Sequence, residues 1–302
     1  MIKNNLYTIN NIPKKYLRKN SSKKTTRVIE KLIKDIIKEI NNPKKTLNIL
    51  NKKFIFNFQQ KNLKSFKQFK TIALLGMGGS ILGAEAIDNF LENKIKKKIY
   101  FFNSLDAEKI SKFKKKEDLK KVLFLVISKS GNTIETLSNL FALNIIKKNS
   151  KNIIIISERK NNLLFSLSKK FNLFYIEHKN FIGGRYSVLS DAGIIPAYLM
   201  GINTVNLRSK IQDFLQGKEK IFLKDSAIKL SNLLNSKKID NIIFLNYSPK
   251  LEKFLFWCQQ LIAESLGKRG KGFLPVVSSA PKDHHSLLQL YLDGPLDKLF
   301  YI

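Results

Sequence analysis

The sequence holds a single cysteine, Cys258, so no internal disulfide is possible. It has no apolar run of about 18 residues and nothing resembling a signal peptide, which argues against a membrane span or a secreted, disulfide-bonded class. The expected location is a reducing cytoplasm. Acidic residues are scarce, 23 against 55 Lys and Arg, giving a formal net charge of +32. Such a charge raises the idea of a nucleic-acid partner, but the lysines are scattered through the whole chain rather than gathered into a patch. Runs such as Lys96-Lys-Lys98 and Lys114-Lys-Lys116 read as solvated surface, and neither nucleic acid nor membrane is expected as a partner. No short-period repeat and no low-complexity tail is present. No Gly-Lys-Ser/Thr closes a Walker loop, and no Gly-x-Gly-x-x-Gly occurs in its place.

What is present is an α/β pattern. At 302 residues the chain can bury one or two cores. Residues 1–60 are polar and lysine-rich, with one helix expected over 26–40, where Val28, Leu32, Ile36, Ile37 and Ile40 mark an apolar stripe and Asn41-Asn-Pro43 stops it. Apolar runs then recur at 72–75, 99–102, 122–127, 153–156 and 173–176, with helical spacing between them. Short continuous apolar strands separated by helices predict a parallel sheet covered on both faces. A connecting helix is expected over 209–238. A second unit begins with a strand at 239–247, a helix over 251–266 and an apolar stretch at 273–277, too little to complete a second sheet. The expected division is 1–60, 61–208 and 209–302.

Two turns carry the chemistry. Gly76-Met-Gly-Gly-Ser80 and Ser128-Lys-Ser-Gly-Asn-Thr-Ile-Glu-Thr136 each follow an expected strand and open an expected helix. Backbone N–H groups of a helix's first turn lack intrahelical partners and point at an anion, glycine admits close approach, and Ser and Thr hydroxyls add donors. Such a pair of turns suits a sugar phosphate better than a nucleotide. Ser80 and Thr133 read equally well as helix caps, a role compatible with phosphate binding. Glu135 would support its loop, since a carboxylate facing a phosphate repels it.

Taken with Ile182-Gly-Gly-Arg-Tyr-Ser-Val-Leu-Ser190, Ala263-Glu-Ser-Leu-Gly-Lys268 and His285-Ser-Leu-Leu-Gln289, these motifs resemble the phosphoglucose isomerase family. The resemblance implies a sugar isomerase (SIS) fold, a doubly wound parallel sheet sandwiched by helices, followed here by a second, incomplete SIS unit. It implies a homodimer with a shared active site, and reversible conversion of glucose 6-phosphate to fructose 6-phosphate through a cis-enediolate, in glycolysis and gluconeogenesis, without metal or organic cofactor. It assigns Gly78, Gly79, Ser80, Ser128, Lys129, Ser130 and Thr133 to the phosphate, with Thr136 close by. Gly184 and Arg185 would stand beside the sugar's C1 and C2, Glu264 would transfer the proton, and His285 would assist ring opening from the partner subunit.

The residue types suit these roles. Glu264 falls near the end of the expected helix whose apolar side carries Leu251, Phe254, Leu255, Cys258, Leu261 and Ile262, so the helix dipole and partial burial would raise its basicity. Taken alone, Glu264 reads as a solvent-facing helix residue and Gly183-Gly184 as a turn. Arg185 offers a permanent charge in a planar fork for an enediolate. Of the adjacent His284 and His285, the family pattern selects His285. With Asp283 the pair also admits a metal, but two neighbouring His rarely converge on one ion without further ligands. His178 is expected at the surface and Trp257 in the core.

Family members continue further, into a helix bearing a glutamine and a lysine directed at the sugar, and Lys298 is no substitute. The expectation is a fragment of a longer reading frame, because half-built parallel sheets expose strand edges. Alternatives are a bifunctional phosphoglucose/phosphomannose isomerase and a non-catalytic sugar-phosphate-binding SIS protein. The latter would usually carry a helix-turn-helix, of which residues 1–60 show only one clear helix.

Overall fold

The computed structural model describes residues 11–12, 23–216, 219–236 and 238–302. Much of the expected N-terminal segment, residues 1–10 and 13–22, lies outside the described residues. Helix α1 spans Lys23–Ile40, but its buried stripe is Ile29, Ile33 and Ile40, while Val28 and Leu32 are exposed. The buried positions fall at i, i+4 and i+11 from Ile29, sharing Ile40 with the expected stripe but replacing Val28 and Leu32 by the residues after them, so periodicity identified the helix but misplaced the edge of the side that packs.

After the short α2 (Gln60–Leu63) the chain alternates β1 (Thr71–Leu75), α3 (Leu82–Phe90), β2 (Lys98–Phe102), α4 (Ala107–Lys116), β3 (Val122–Ile127), α5 (Ile134–Leu143), β4 (Ile153–Ser157), α6 (Leu163–Lys170) and β5 (Phe174–Glu177). The five strands form one parallel sheet in the order β2-β1-β3-β4-β5. Every residue of β3 and β4 is buried. Alternate residues feed opposite faces: Ile72, Leu74, Leu123 and Leu125 pack with Ile195 and Leu199 of α7 (Asp191–Met200), whereas Ala73, Leu75, Phe124 and Val126 pack with Phe113 of α4 and Leu140 of α5. The two covered faces are why these strands read as unbroken apolar runs. All ten residues of α7 are buried, and Gly201 closes it at a φ of 96°.

The chain continues with α8 (Thr204–Arg208); within the connecting helix expected over 209–238 lie α9 (Asp213–Gln216) and α10 (Glu219–Ser236). Then follow β6 (Asn241–Asn246), α11 (Glu252–Leu266), β7 (Leu274–Ser279), α12 (Leu288–Asp293) and β8 (Lys298–Tyr301). The last three strands make a second parallel sheet in the order β7-β6-β8. Strand β8 went unread in the sequence, although Leu299, Phe300 and Tyr301 are apolar and aromatic residues of the kind strands favour; pairing with β6 reveals it. Helix α11 lies between the two units: Leu255, Cys258 and Ile262 pack into the core of the second sheet, and Trp257 packs against that of the first. Among the described residues no helix is long and apolar enough to cross a membrane.

Candidate active site

The strand order places a topological switch between β1 and β3, where the chain winds outward in both directions and a crevice opens at the carboxyl ends of the strands. Both glycine- and hydroxyl-rich turns leave those two strands. Gly76 holds them close: a Cβ there would lie 3.0 Å from Ile127 O. The backbone then forms a 3-10 turn over Gly78–Ser80, with Gly78 at a φ of 52°. Ser80 caps nothing, since the N-cap of α3 is Ile81.

Across the switch, three hydroxyls converge at the N-terminus of α5. Ser128 Oγ lies 2.8 Å from Thr133 Oγ1 and 3.4 Å from Ser130 Oγ, and Ser130 Oγ lies 3.3 Å from Thr133 Oγ1. Thr133 occupies the N-cap position of α5 without making a side-chain cap bond, so its hydroxyl serves the cluster instead. Gly131, at a φ of 69°, passes so close to Asn162 that a Cβ would meet its Oδ1 at 1.9 Å. Thr136 lies one turn into α5, fully buried, and its hydroxyl is unpartnered among the described residues. Lys129 follows the loop but turns aside: its Nζ donates to Asn180 O at 2.9 Å and lies 3.5 Å from Glu158.

The third segment, the 3-10 turn over Gly184–Leu189, packs on the first glycine turn. Ser187 Oγ lies 2.8 Å from Gly79 O and 2.6 Å from Gly184 O, its one O–H shared between the two carbonyls, and a Cβ on Gly79 would fall 2.1 Å from Gly184 O. From this turn Arg185 reaches α11, where its Nη1 donates to Glu264 Oε2 at 3.1 Å and its Nε to Ser265 Oγ at 2.9 Å. Burial works against the Arg185 charge, yet neighbouring Tyr186 and Glu264 outweigh it and hold the guanidinium above its usual range. The backbone is secured as well, by Trp257 Nε1 donating to Arg185 O at 2.9 Å. Gln260 Nε2 donates to Glu264 Oε1 at 2.7 Å and stands against Gly78.

Trp257, Gln260 and Glu264 therefore form one stripe of α11 at i, i+3 and i+7, turned from Cys258 and Ile262, while Ser265, seven residues after Cys258, stands at the edge of the apolar face. The polar complement of the expected apolar face was the available signal for Gln260, and it went unread; Ser265 falls on the apolar side and had no such signal. One expectation is modified here. Glu264 is more open than expected: its side chain is 47 % exposed, and its setting is made by Arg185 rather than by an apolar pocket. Trp257 is partly buried and packs against the core of the first sheet, as expected, while its indole N–H anchors the Arg185 turn.

The histidines distribute differently. His285 is exposed on the 3-10 turn Lys282–His285 after β7, and the structure does not bring it to the Arg185–Glu264 pair. His284 Nε2 lies 3.1 Å from Tyr247 OH, and Asp283 is occupied by Ser279 N (2.7 Å) and Ser278 Oγ (3.1 Å). His178, expected at the surface, is 2 % exposed and pushed down to about 4 by burial. It directly follows β5, where its N–H bonds Ser157 O at the end of β4 and draws the residue inside.

The geometry agrees with what the chain is similar to. The family model for phosphoglucose isomerase matches residues 14–274. A probable glucose-6-phosphate isomerase of Methanococcus maripaludis is 35 % identical over 278 residues, covering 87 % of this chain and 62 % of the relative. The glucose-6-phosphate isomerase of Methanocaldococcus jannaschii is also 35 % identical, over 78 % of this chain and 60 % of its own length. The chain thus spans about 60 % of the length of these curated relatives. In fold it resembles the crystal structure of a glucose-6-phosphate isomerase from Chlamydia trachomatis, with a TM-score of 0.61 at 22 % identity over 80 % of this chain and 51 % of that one. It also resembles tagatose-6-phosphate ketose/aldose isomerase from Escherichia coli, with a TM-score of 0.53 at 14 % identity over 80 % of this chain and 65 % of that one. With the matched residues taking in both turns at the switch, the Arg185 turn and Glu264, this chain belongs to the phosphoglucose isomerase family.

Proposed function

We propose that this chain carries the phosphate-binding and proton-transfer parts of an isomerase interconverting glucose 6-phosphate and fructose 6-phosphate in the cytoplasm, as a homodimer. The observation that carries the reading is the Arg185–Glu264 pair, 3.1 Å apart, seated on the glycine turn that flanks the switch crevice. The Gly78–Ser80 turn and the Ser128, Ser130 and Thr133 hydroxyls would hold the phosphate, with Thr136 behind them and Lys129 released from Asn180. That leaves C1 and C2 of an open-chain sugar beside Gly184 and Arg185.

The step balances within the substrate. The Glu264 carboxylate removes the proton from C2, the C–H pair becomes a C1–C2 double bond, and the carbonyl π pair moves onto oxygen as an enediolate beside the guanidinium. Passage of the hydroxyl proton from O2 to O1 and return of the abstracted proton to C1 give the ketose, with C2–O2 becoming the carbonyl, so no external oxidant or reductant is called on. Ring opening falls to His285 from the partner subunit, in keeping with its exposed position away from Glu264.

A coupled assay of fructose 6-phosphate conversion tests this. Glu264→Gln should lose at least the roughly 10²–10⁴-fold of general base catalysis. Arg185→Lys should depress kcat by about 10²–10³, as for loss of one preorganised oxyanion donor, with KM little changed. Near-parental turnover in Glu264→Gln, or an Arg185→Lys effect confined to KM, would overturn the assignment. Turnover of mannose 6-phosphate would broaden the substrate class.

A further inference from the structure

The reaction asks something of Arg185 that its ion pair with Glu264 cannot supply. As Glu264 takes up the proton it becomes neutral and its hold on the guanidinium collapses, at the moment the charge appears on the enediolate. A long side chain freed at that point has several rotamers open to it. The guanidinium therefore needs an anchor that does not titrate during the step.

Ser265, the residue after the base, has the right geometry. Its Oγ accepts from Arg185 Nε at 2.9 Å and lies 3.2 Å from Tyr186 OH. The Tyr186 ring lies against the same guanidinium, its centroid 4.6 Å from Cζ. Burial alone would raise the Tyr186 phenol, yet Ser265 and Arg185 outweigh it and bring it below its usual value. Nε is thus fixed in the guanidinium plane and one face is covered. Nη1 stays directed at Glu264.

We infer that Ser265 and Tyr186 are positioning residues that hold the Arg185 guanidinium in orientation while Glu264 changes its protonation state. The inference rests on the assigned roles of Arg185 and Glu264. Neither Ser265 nor Tyr186 exchanges a proton with substrate. Together they make Arg185 a fixed donor rather than one that must be recaptured in each turnover.

Two measurements on the full chain test this separately from the isomerase reading. In ¹⁵N-resolved NMR the Arg185 Nε–H, identified by its loss in Arg185→Lys, should exchange slowly with solvent. Ser265→Ala should speed that exchange about tenfold or more, and Ser265→Thr, which keeps the hydroxyl, should restore it. Unchanged exchange in Ser265→Ala overturns the inference whether or not the chain turns over substrate. In the coupled assay Ser265→Ala should lower kcat about tenfold with KM within about twofold, and Ser265→Thr should recover most of the loss. Parental kcat in Ser265→Ala, while Arg185→Lys and Glu264→Gln are both impaired, also overturns it. Parental turnover in those last two variants would instead defeat the isomerase reading, and the exchange measurement would still decide how Arg185 is held.

Discussion

Adding one methyl group at Gly79 should disable the site without touching any ionisable group. The Cβ of Gly79→Ala would lie 2.1 Å from Gly184 O, 2.2 Å from Gly184 C and 2.7 Å from Arg185 N. All three are backbone atoms, so no side chain can swing clear, and the turns must part by about 1 Å to regain ordinary contact. Ser187 resists this, because its one O–H is shared between Gly79 O and Gly184 O and separation ends that sharing. Overpacking of this kind costs about 1–3 kcal/mol, to which the weakened hydrogen bond adds at most about 1. A displacement of about 1 Å at Arg185 corresponds to roughly 10²-fold in turnover. Urea denaturation and the coupled assay read the two effects independently. Gly184→Ala is the stability control, since a Cβ there meets nothing within 4 Å. If Gly79→Ala kept both the parental unfolding midpoint and the parental kcat, the contact between the two turns would not be what seats Arg185.

Two buried groups outside the site should shape stability against pH, with opposite sign. His178 is held down to about 4 by burial, so the folded protein keeps it neutral while the unfolded chain protonates it near 6.5. Its contribution is complete above about 6.5 and falls away by roughly 3 kcal/mol as pH drops toward 4. Asp191 is pushed up to about 6 by burial, so its contribution is complete below its unfolded value of 3.8 and is lost, by a similar roughly 3 kcal/mol, as pH rises through 6. Between pH 4 and 6 the two slopes should nearly cancel in the parent. His178→Asn, which retains a donor for Lys179 O, should expose a fall in stability as pH rises across that window. Asp191→Asn should expose the reverse, a fall as pH drops. Denaturant midpoints from pH 4 to 7 measure both, and variants parallel to the parent would show that neither group titrates as its burial dictates.

The sequence by itself determined the elements whose pattern is local. Strands β3 and β4 were legible because both faces are covered and all their residues but Ser157 are apolar. The two turns were legible as short spans of Gly, Ser and Thr directly after an apolar run, and Arg185 and Glu264 because they sit in family motifs. Tertiary structure alone decided the rest, where the cause lies far along the chain. The order β2-β1-β3-β4-β5, and so the place of the crevice, comes from long-range pairing that no local period encodes. The register of β8 on β6 turns a four-residue run whose apolar signal is too short to stand alone into a strand. The burial of His178, the exposure of Glu264 and the buried face of α1 depend on which neighbour arrives, not on which residue is present. The stripe of Trp257, Gln260 and Glu264 was countable in the sequence, but its meaning, and that of Ser265 beside it, came only when the Arg185 turn, some 70 to 80 residues earlier, was packed against α11.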